Sequence, residues 1–132
     1  LCWLQPSRLP AEARAAVRGV MDLHRRIAPE LRTAFTFPIG EEPSGRGWTG
    51  FWSARPDLPH TGLVQVFREH NDRAEAAIAL DATRLPPGTA LRLQCLSHTE
   101  PDVDVVIDAT GAVTFTVPTP NAFRLYRYAV VD

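Results

Sequence analysis

The sequence predicts a mainly β protein, an antiparallel β-sandwich of about eight strands preceded by one N-terminal α-helix. Three observations predict this fold class. Before Phe35, apolar residues recur at spacings of three and four, which is the period of a helix. After Phe35 they alternate with polar residues, and turn signals follow about every ten residues, as in β-sandwiches. Strands and helices do not alternate there, so a parallel α/β domain is not expected.

The helix is predicted over Pro10–Ala28. Pro10 suits a first helical turn, where its missing N–H costs nothing, and Glu12 favours the positive pole of the helix. Pro29 ends the pattern because proline disfavours helical backbone in the residue before it. We expect the apolar stripe to dock on a sheet or to be covered in an oligomer, since it would otherwise lie in water. The stripe consists of Ala13, Val17, Val20, Met21, His24, Ile27 and Leu31.

Eight strand-like segments follow, and one face of each is expected to point inward. The segments are Arg32–Phe37, Trp48–Arg55, Leu63–Glu69, Ala74–Leu80, Leu91–Cys95, Val103–Ile107, Val113–Val117 and Phe123–Val131. Thr110-Gly111 predicts a tight hairpin between two of them. The inward set is Ala74, Ala76, Ile78, Leu80, Leu91, Leu93, Cys95, Val103, Val105, Ile107, Val113, Phe115 and Val117. The chain thus divides into an N-terminal helical segment, residues 1–31, and a C-terminal β-sandwich domain, residues 32–132.

Composition excludes several classes of partner. The 132 residues carry 14 basic and 15 acidic side chains without a cluster of either sign, which argues against nucleic-acid and membrane partners. No apolar run approaches the ~18–20 residues of a membrane span. All the basic residues are arginine, so no lysine can form a Schiff base or act as a general base.

The start of the chain and its two cysteines bear on the compartment. The chain does not begin with methionine, which suggests a fragment or a processed product. No signal peptide opens it, and Cys2 and Cys95 are too far apart in sequence for a metal motif, so both are expected to be free thiols. The compartment stays open, and these observations favour the cytoplasm.

No constellation of residues predicts catalysis, a cofactor or a metal site. The four histidines stand singly at positions 24, 60, 70 and 98. The loop at 44–47 is Gly-rich, but no helix follows it, so it is not a phosphate loop. Glu41 and Glu42 have no apolar neighbours that would raise a pKa. Asp102, Asp104 and Asp108 are typical of the solvated face of a strand, with calcium binding by the first two as the alternative.

The aromatic residues leave two interpretations open. Trp48 and Trp52 share one face of a strand and Phe51 takes the other. Buried, the two tryptophans are core or a contact with another domain, which is the usual environment of Trp. Exposed, they would form a sugar-stacking platform, as in carbohydrate-binding modules. Phe123, Tyr126 and Tyr128 on the last strand are likewise expected to be core or a contact with another domain.

Short phrases spread over nearly the whole chain resemble the C-terminal part of α-galactosidases of the melibiase type, which are clan D retaining glycoside hydrolases. The helix resembles the last helix of that family's (β/α)₈ barrel, and the later phrases resemble strands and a turn of its C-terminal β-sandwich. The phrases are LPAEAR at Leu9–Arg14, LHRRIAPEL at Leu23–Leu31, TGF at Thr49–Phe51, GLVQVFRE at Gly62–Glu69, LPPGT at Leu85–Thr89 and NAFRLYRY at Asn121–Tyr128.

The resemblance implies a non-catalytic accessory domain that stabilises an upstream catalytic barrel of the same parent chain. The family's two catalytic Asp residues lie on barrel strands upstream of this helix, so none is carried over. The parent would be a glycosidase of carbohydrate metabolism, and this chain alone is expected to be inactive. An autonomous carbohydrate-binding β-sandwich using Trp48 and Trp52 is the alternative, and a small self-contained enzyme is a third reading. A homo-oligomer and a carbohydrate stay open as further partners.

Overall fold

The computed structural model describes residues 6–81 and 83–131, and it confirms the predicted fold class of one helix followed by eight antiparallel strands. Cys2 lies outside the described residues. A short 3₁₀ turn, Pro6–Arg8, leads into the helix. The elements are α1 (Ala11–Leu31), β1 (Phe35–Gly40), β2 (Trp48–Ala54), β3 (Thr61–Arg68), β4 (Glu75–Ala79), β5 (Ala90–Cys95), β6 (Val103–Val106), β7 (Ala112–Thr116) and β8 (Ala122–Val131).

The two sheets are unequal. Six strands form one sheet in the order β1-β2-β3-β8-β5-β6, and β4 pairs with β7 in the other. We call the face of the six-stranded sheet toward β4 and β7 its inner face, and the opposite face its outer face. The main core lies between the sheets. Its fully buried members include Trp48, Trp52, Val64, Val66, Leu91, Val113, Phe115, Val117 and Tyr128.

The predicted hairpin at Thr110-Gly111 is wrong, although the turn itself is present. The Asp108 carboxylate accepts hydrogen bonds from the backbone N–H of Thr110 at 2.8 Å and of Ala112 at 3.0 Å. The turn, however, carries the chain from one sheet to the other, because β6 pairs with β5 and β7 pairs with β4. A turn signal fixes a change of direction, whereas pairing depends on which faces must be buried.

Helix α1 extends three residues beyond the predicted end at Ala28, with Pro29 inside its last turn. Proline removes one intrahelical hydrogen bond, and here the packing of the following residues compensates for that loss. Leu31 packs against the cluster that joins the helix to the sheet, and the backbone N–H of Arg32 still donates to the carbonyl of Ala28 at 3.1 Å.

Helix α1 packs on the outer face of the six-stranded sheet, in agreement with the expected docking. Leu23 and Ile27 are buried against Leu63 of β3 and Leu125 of β8. An ion pair between Glu30 and Arg127 of β8 borders this contact. The predicted stripe needs correction, because Leu23 was left out of it, whereas Val20, Met21 and His24 are exposed. The apolar surface of the helix is therefore wider than the face that the sheet covers.

The inward register of the sandwich is confirmed with two exceptions. Val105 and Phe115 point inward, while Asp104 and Thr114 are exposed. Val103 is exposed because it lies on edge strand β6, beyond the cover of the two-stranded sheet. Ala74 is exposed too, since it precedes β4 and contributes only its carbonyl, which accepts from the N–H of Val117 at 2.9 Å.

The opposite edge of the large sheet is β1, where Pro38 lies opposite Phe51 of β2.

No helix among residues 6–81 and 83–131 combines the length and the apolar character needed to cross a membrane.

Candidate functional site

Trp48 and Trp52 share the inner face of β2, as their spacing predicts, and each is only 1% exposed. Nε1 of Trp48 donates to the carbonyl of Arg73 at 3.2 Å, and the ring of Phe37 packs on Trp52 with 5.6 Å between centroids. A sugar-stacking platform needs an exposed indole face, and neither tryptophan offers one. The carbohydrate-binding interpretation that used these two residues therefore has no surface to act through, and both are core residues.

The last strand divides its aromatic residues between the two faces of the sheet. Tyr126 and Tyr128 are buried in the main core, as predicted. Phe123 instead lies on the outer face, in register with Phe67 of β3, where it is half-buried against the smaller core between α1 and the sheet.

The carboxylates do not form a catalytic pair. The Arg92 guanidinium donates two hydrogen bonds to Asp104, at 2.8 and 2.9 Å, and holds the pKa of that carboxyl below its usual value. Hydrogen bonds from Thr110 and from the backbone of Ala112 lower the pKa of Asp108 in the same way. A general acid at neutral pH needs a raised pKa, which is the opposite of what these contacts produce.

Ser97 and His98 form the arrangement that most resembles a catalytic dyad, and the sequence reasoning did not single it out as one. Ser97 Oγ lies 2.8 Å from Nδ1 of His98, and Nη1 of Arg124 lies 3.5 Å from Nε2. Ser97 Oγ also accepts from the N–H of Leu125 at 3.1 Å, and the Arg124 guanidinium is paired with Glu100 at 2.8 Å. These contacts indicate that the cluster orders the chain around β8.

Within residues 6–81 and 83–131, no group of three or more His, Cys, Asp or Glu side chains could hold a metal ion. His24, His60 and His70 are exposed and stand on separate elements. Asp102 and Asp104, which the sequence offered as an alternative calcium site, do not belong to such a group.

A groove of about 730 Å³ lies on the outer face, and we call it the aromatic groove. Its floor is a row of three phenylalanines from adjacent strands, Phe51, Phe67 and Phe123. Their ring centroids are 6.4 Å apart for the first pair and 6.0 Å apart for the second. Phe51 is 47% exposed, although a side chain of this size is usually buried. The groove has the volume of a ligand or docking site.

Acidic residues border the groove at the end formed by the β1–β2 loop. Glu69 accepts from the backbone N–H of Gly47 at 2.8 Å and of Ser44 at 3.3 Å, and it thereby holds the loop against β3. Glu41 lines the groove as well and is paired with Arg73 at 2.6 Å.

A second apolar surface adjoins the groove. Val20 and Met21 of α1 are exposed apolar side chains outside the contact of the helix with the sheet, and we call them the α1 flank. Val20 is 52% exposed and Met21 is 41% exposed. Val20 lies near the groove, because it lines a cavity of about 410 Å³ together with Phe123, which also lines the aromatic groove.

Alternation in the sequence could have revealed the groove. The spacing placed Phe51 opposite the two tryptophans, and the same alternation in β3 and β8 places Phe67 and Phe123 on that outer face. What the sequence lacked was the strand order, which brings the three rings side by side. Comparison with protein families, with curated proteins and with solved structures finds no match to this chain.

Proposed function

We propose that this chain is the non-catalytic C-terminal part of an α-galactosidase-like glycoside hydrolase, made of the last helix of the catalytic barrel and an accessory β-sandwich that stabilises it. The resemblance of its phrases to that family motivates the proposal. The order of elements agrees with it, since one long helix precedes an antiparallel sandwich.

One observation carries the proposal: α1 uses only part of its apolar surface on the sandwich. Leu23 and Ile27 are buried there, while Val20 and Met21 stay exposed, and Phe51 on the same outer face of the sheet is exposed as well. Exposed large apolar side chains on one side of a domain are typical of a surface that a partner covers, provided that they lie close together. A helix that packs against two bodies would carry such a double apolar face.

The chain alone is expected to have no hydrolase activity. Retaining hydrolysis needs two carboxyl groups about 5–5.5 Å apart, one of them with a raised pKa. Asp104 is instead held as a carboxylate by Arg92, and Asp108 by Thr110 and its turn.

Two measurements test the proposal. The isolated chain should not turn over nitrophenyl α- or β-galactosides or glucosides, whereas the parent protein that contains it should cleave an α-galactoside. If the isolated chain does turn over a substrate and Asp104→Asn abolishes this activity, the chain would be a small self-contained enzyme and the proposal would be wrong. A parent protein without a glycosidase barrel upstream of Leu1 would contradict the proposal directly.

A further inference from the structure

We infer that the free edge of β7 is a strand-addition site, and that its ligand is an extended peptide segment in which apolar residues alternate with polar ones and one polar residue is basic. β7 pairs with β4 on one side, and no strand among residues 6–81 and 83–131 pairs with it on the other. The inference does not depend on the proposed function and goes beyond it.

The register of β4 and β7 shows which backbone groups of β7 face its free edge. The N–H of Leu80 donates to the carbonyl of Gly111 at 3.0 Å, and the N–H of Val117 donates to the carbonyl of Ala74 at 2.9 Å. Both bonds continue the register of the ladder. Hydrogen-bonded pairs alternate along an antiparallel ladder, so the odd-numbered residues of β7 bond to β4. The even-numbered residues therefore direct their N–H and C=O groups to the free edge.

Thr114 and Thr116 are the residues that this edge offers to a partner, and both are exposed. Ala112 faces the same way, but its N–H donates to the Asp108 carboxylate at 3.0 Å and its carbonyl accepts from the N–H of Asp108 at 2.9 Å. Each threonine carries one backbone donor and one acceptor toward the edge, and the two residues lie about 6.5–7 Å apart along the strand. An extended peptide repeats its donors and acceptors at the same spacing, so its backbone matches the edge.

A pocket of about 260 Å³ lies beside this edge. Thr114, Phe115 and Thr116 line it from β7, and Val103 and Val105 line it from β6. Val103 is 50% exposed, although it belongs to the inward-facing series of β6. Side chains alternate across a strand, so the peptide residue opposite Phe115 would point to the same face as Phe115 and enter this pocket. The pocket therefore selects an apolar residue at that position.

Carboxylates lie near the Thr116 end of the edge. Oγ1 of Thr116 donates to Oε1 of Glu75 at 3.2 Å, and Glu100 lines the pocket. Arg124 pairs with Oε1 of Glu100 at 2.8 Å, and Oε2 can accept a further hydrogen bond. A basic peptide residue opposite Thr116 complements these groups. A second copy of β7 would not, because the segment Ala112–Thr116 contains no charged residue.

The pentapeptide Val-Arg-Val-Thr-Val, with an uncharged fluorophore at one end and an amide at the other, is the probe. Added antiparallel to β7, it places its Arg opposite Thr116 and its central Val opposite Phe115. Fluorescence anisotropy should show saturable binding to the chain, and Val-Glu-Val-Thr-Val should bind several-fold more weakly. The first peptide N-methylated at its Thr should lose at least about tenfold in affinity, because main-chain hydrogen bonds supply the affinity in strand addition.

Substitutions in the chain give a second readout. Thr114→Pro removes an N–H that faces the free edge and should weaken binding at least about tenfold. Ala77→Pro is the matched control, because Ala77 lies opposite Thr114 and its N–H faces the other edge of the small sheet. Val103→Gln should weaken binding several-fold, whereas Val106→Gln should not, since Val106 points to the opposite face of β6. Thermal unfolding checks that each variant is folded.

Amide exchange followed by NMR reports on the edge directly. In the dilute free chain, the amides of Thr114 and Thr116 should exchange faster than those of Val113 and Phe115. The peptide should slow exchange at both threonines and leave that of Ala77 unchanged.

Four results would overturn the inference. Slow exchange at Thr114 and Thr116 in the dilute free chain would show that the edge is already paired. Protection that appears without peptide as the chain concentration rises would assign the edge to a second copy. Absence of peptide binding, or binding that changes equally in each variant and its control, would show that the edge does not recognise the probe. None of these results bears on the proposed function, which turnover and the sequence upstream of Leu1 test separately.

Discussion

Arg68 is a charged residue only 5% exposed, and carbonyl groups rather than a carboxylate satisfy it. Its guanidinium donates to the carbonyls of Asn71 at 2.7 Å, Val117 at 3.0 Å and Pro118 at 2.6 Å. These bonds tie the end of β3 to the two loops that lead to β4 and β8. A buried charge is tolerated only with such a complete set of partners.

Replacement of this arginine should destabilise the fold. Arg68→Met keeps much of the buried volume but leaves the carbonyls without donors, so we expect a loss of about 2–3 kcal/mol in the free energy of unfolding. Urea denaturation followed by fluorescence measures it. The control is Arg92→Met, which breaks an exposed pair and should leave the midpoint near that of the wild type. Equal effects of the two substitutions would contradict this account of Arg68.

Two glycines of the chain should respond to alanine with opposite signs. A Cβ on Gly62 would lie 2.3 Å from the carbonyl oxygen of Ser53 and 2.7 Å from the ring of Tyr128, so Gly62→Ala should cost about 1–3 kcal/mol. Gly19 in α1 has nothing within 4 Å of such an atom, and Gly19→Ala should stabilise by about 0.5–1 kcal/mol. Thermal unfolding of the two variants tests this, and a Gly62→Ala protein as stable as the wild type would refute the steric argument.

At the residue scale, alternation predicted which side chains of β2 share a face but left open whether the face with the tryptophans is covered. The spacing of Trp48 and Trp52 placed them together, whereas their burial depends on β4 and β7, strands that are distant in sequence. The sequence could not predict the Arg68 contacts either, because its partners at 117 and 118 are brought near only by the fold.

At the level of elements, α1 and the six-stranded sheet share a small core of their own. Leu23, Ile27, Leu63 and Leu125 form it, separate from the core between the sheets. The helix should therefore unfold together with the sheet and not before it.

Ile27→Ala tests this coupling. Loss of a buried isoleucine should lower the free energy of unfolding by about 2–4 kcal/mol, while Met21→Ala on the exposed flank should have little effect. Circular dichroism at 222 nm, which follows the helix, and tryptophan fluorescence should shift to the same new midpoint. A helix signal that melts first, with fluorescence unchanged, would show that α1 is only loosely attached.

The helix and the strands could largely be predicted from the sequence, whereas the end of the helix and the pairing of the strands were harder to predict. The period of three to four gave α1, and the period of two gave all eight strands to within a few residues. The helix end at Leu31 was not predicted, because the packing of Leu31 outweighs the local effect of Pro29. The pairing of β6 and β7 with different sheets was not predicted, because a local turn signal does not encode which sheet the next strand joins.

For the whole molecule, the absence of lysine simplifies the interpretation of how stability changes at alkaline pH. Arginine keeps its charge above pH 12, so the two tyrosines are the groups that titrate between about pH 10 and 12. Burial raises the pKa of Tyr126 to about 12 and raises that of Tyr128 as well. Folding therefore favours the neutral phenols in this range.

The sign of the pH dependence follows. A phenol whose pKa is higher in the folded state stabilises the fold fully at a pH below its pKa in the unfolded state, which is near 10. That contribution to the free energy of unfolding is lost as the pH rises toward 12. We expect the free energy of unfolding to fall by about 2–3 kcal/mol over this range on account of Tyr126, and Tyr128 adds to the loss in the same direction. Urea titrations at pH 9.5 and 11.5 measure it. Tyr126→Phe should reduce the loss, and an unchanged loss in that variant would exclude Tyr126 as its source.

The candidate site itself could be predicted only in part. The sequence placed Phe51 away from the tryptophans, but it did not join it to Phe67 and Phe123, because the order β2-β3-β8 is a property of the fold. The charged border of the groove arises in the same way, from loops that meet only after the sheet has formed.

Pro38 on β1 limits how this protein can associate. The N–H of Glu41 donates to the carbonyl of Trp48, so the odd-numbered residues of β1 bond to β2, and the backbone of Pro38 faces the open edge of the sheet. Proline has no N–H to offer an incoming strand, so strand addition is interrupted in the middle of this edge. At the other edge, β6 has only four residues. Both edge strands of the large sheet are therefore poor partners for an added strand, which disfavours aggregation through edge-to-edge pairing. A binding partner of this sheet would contact side chains on its faces and not the backbone of its edges.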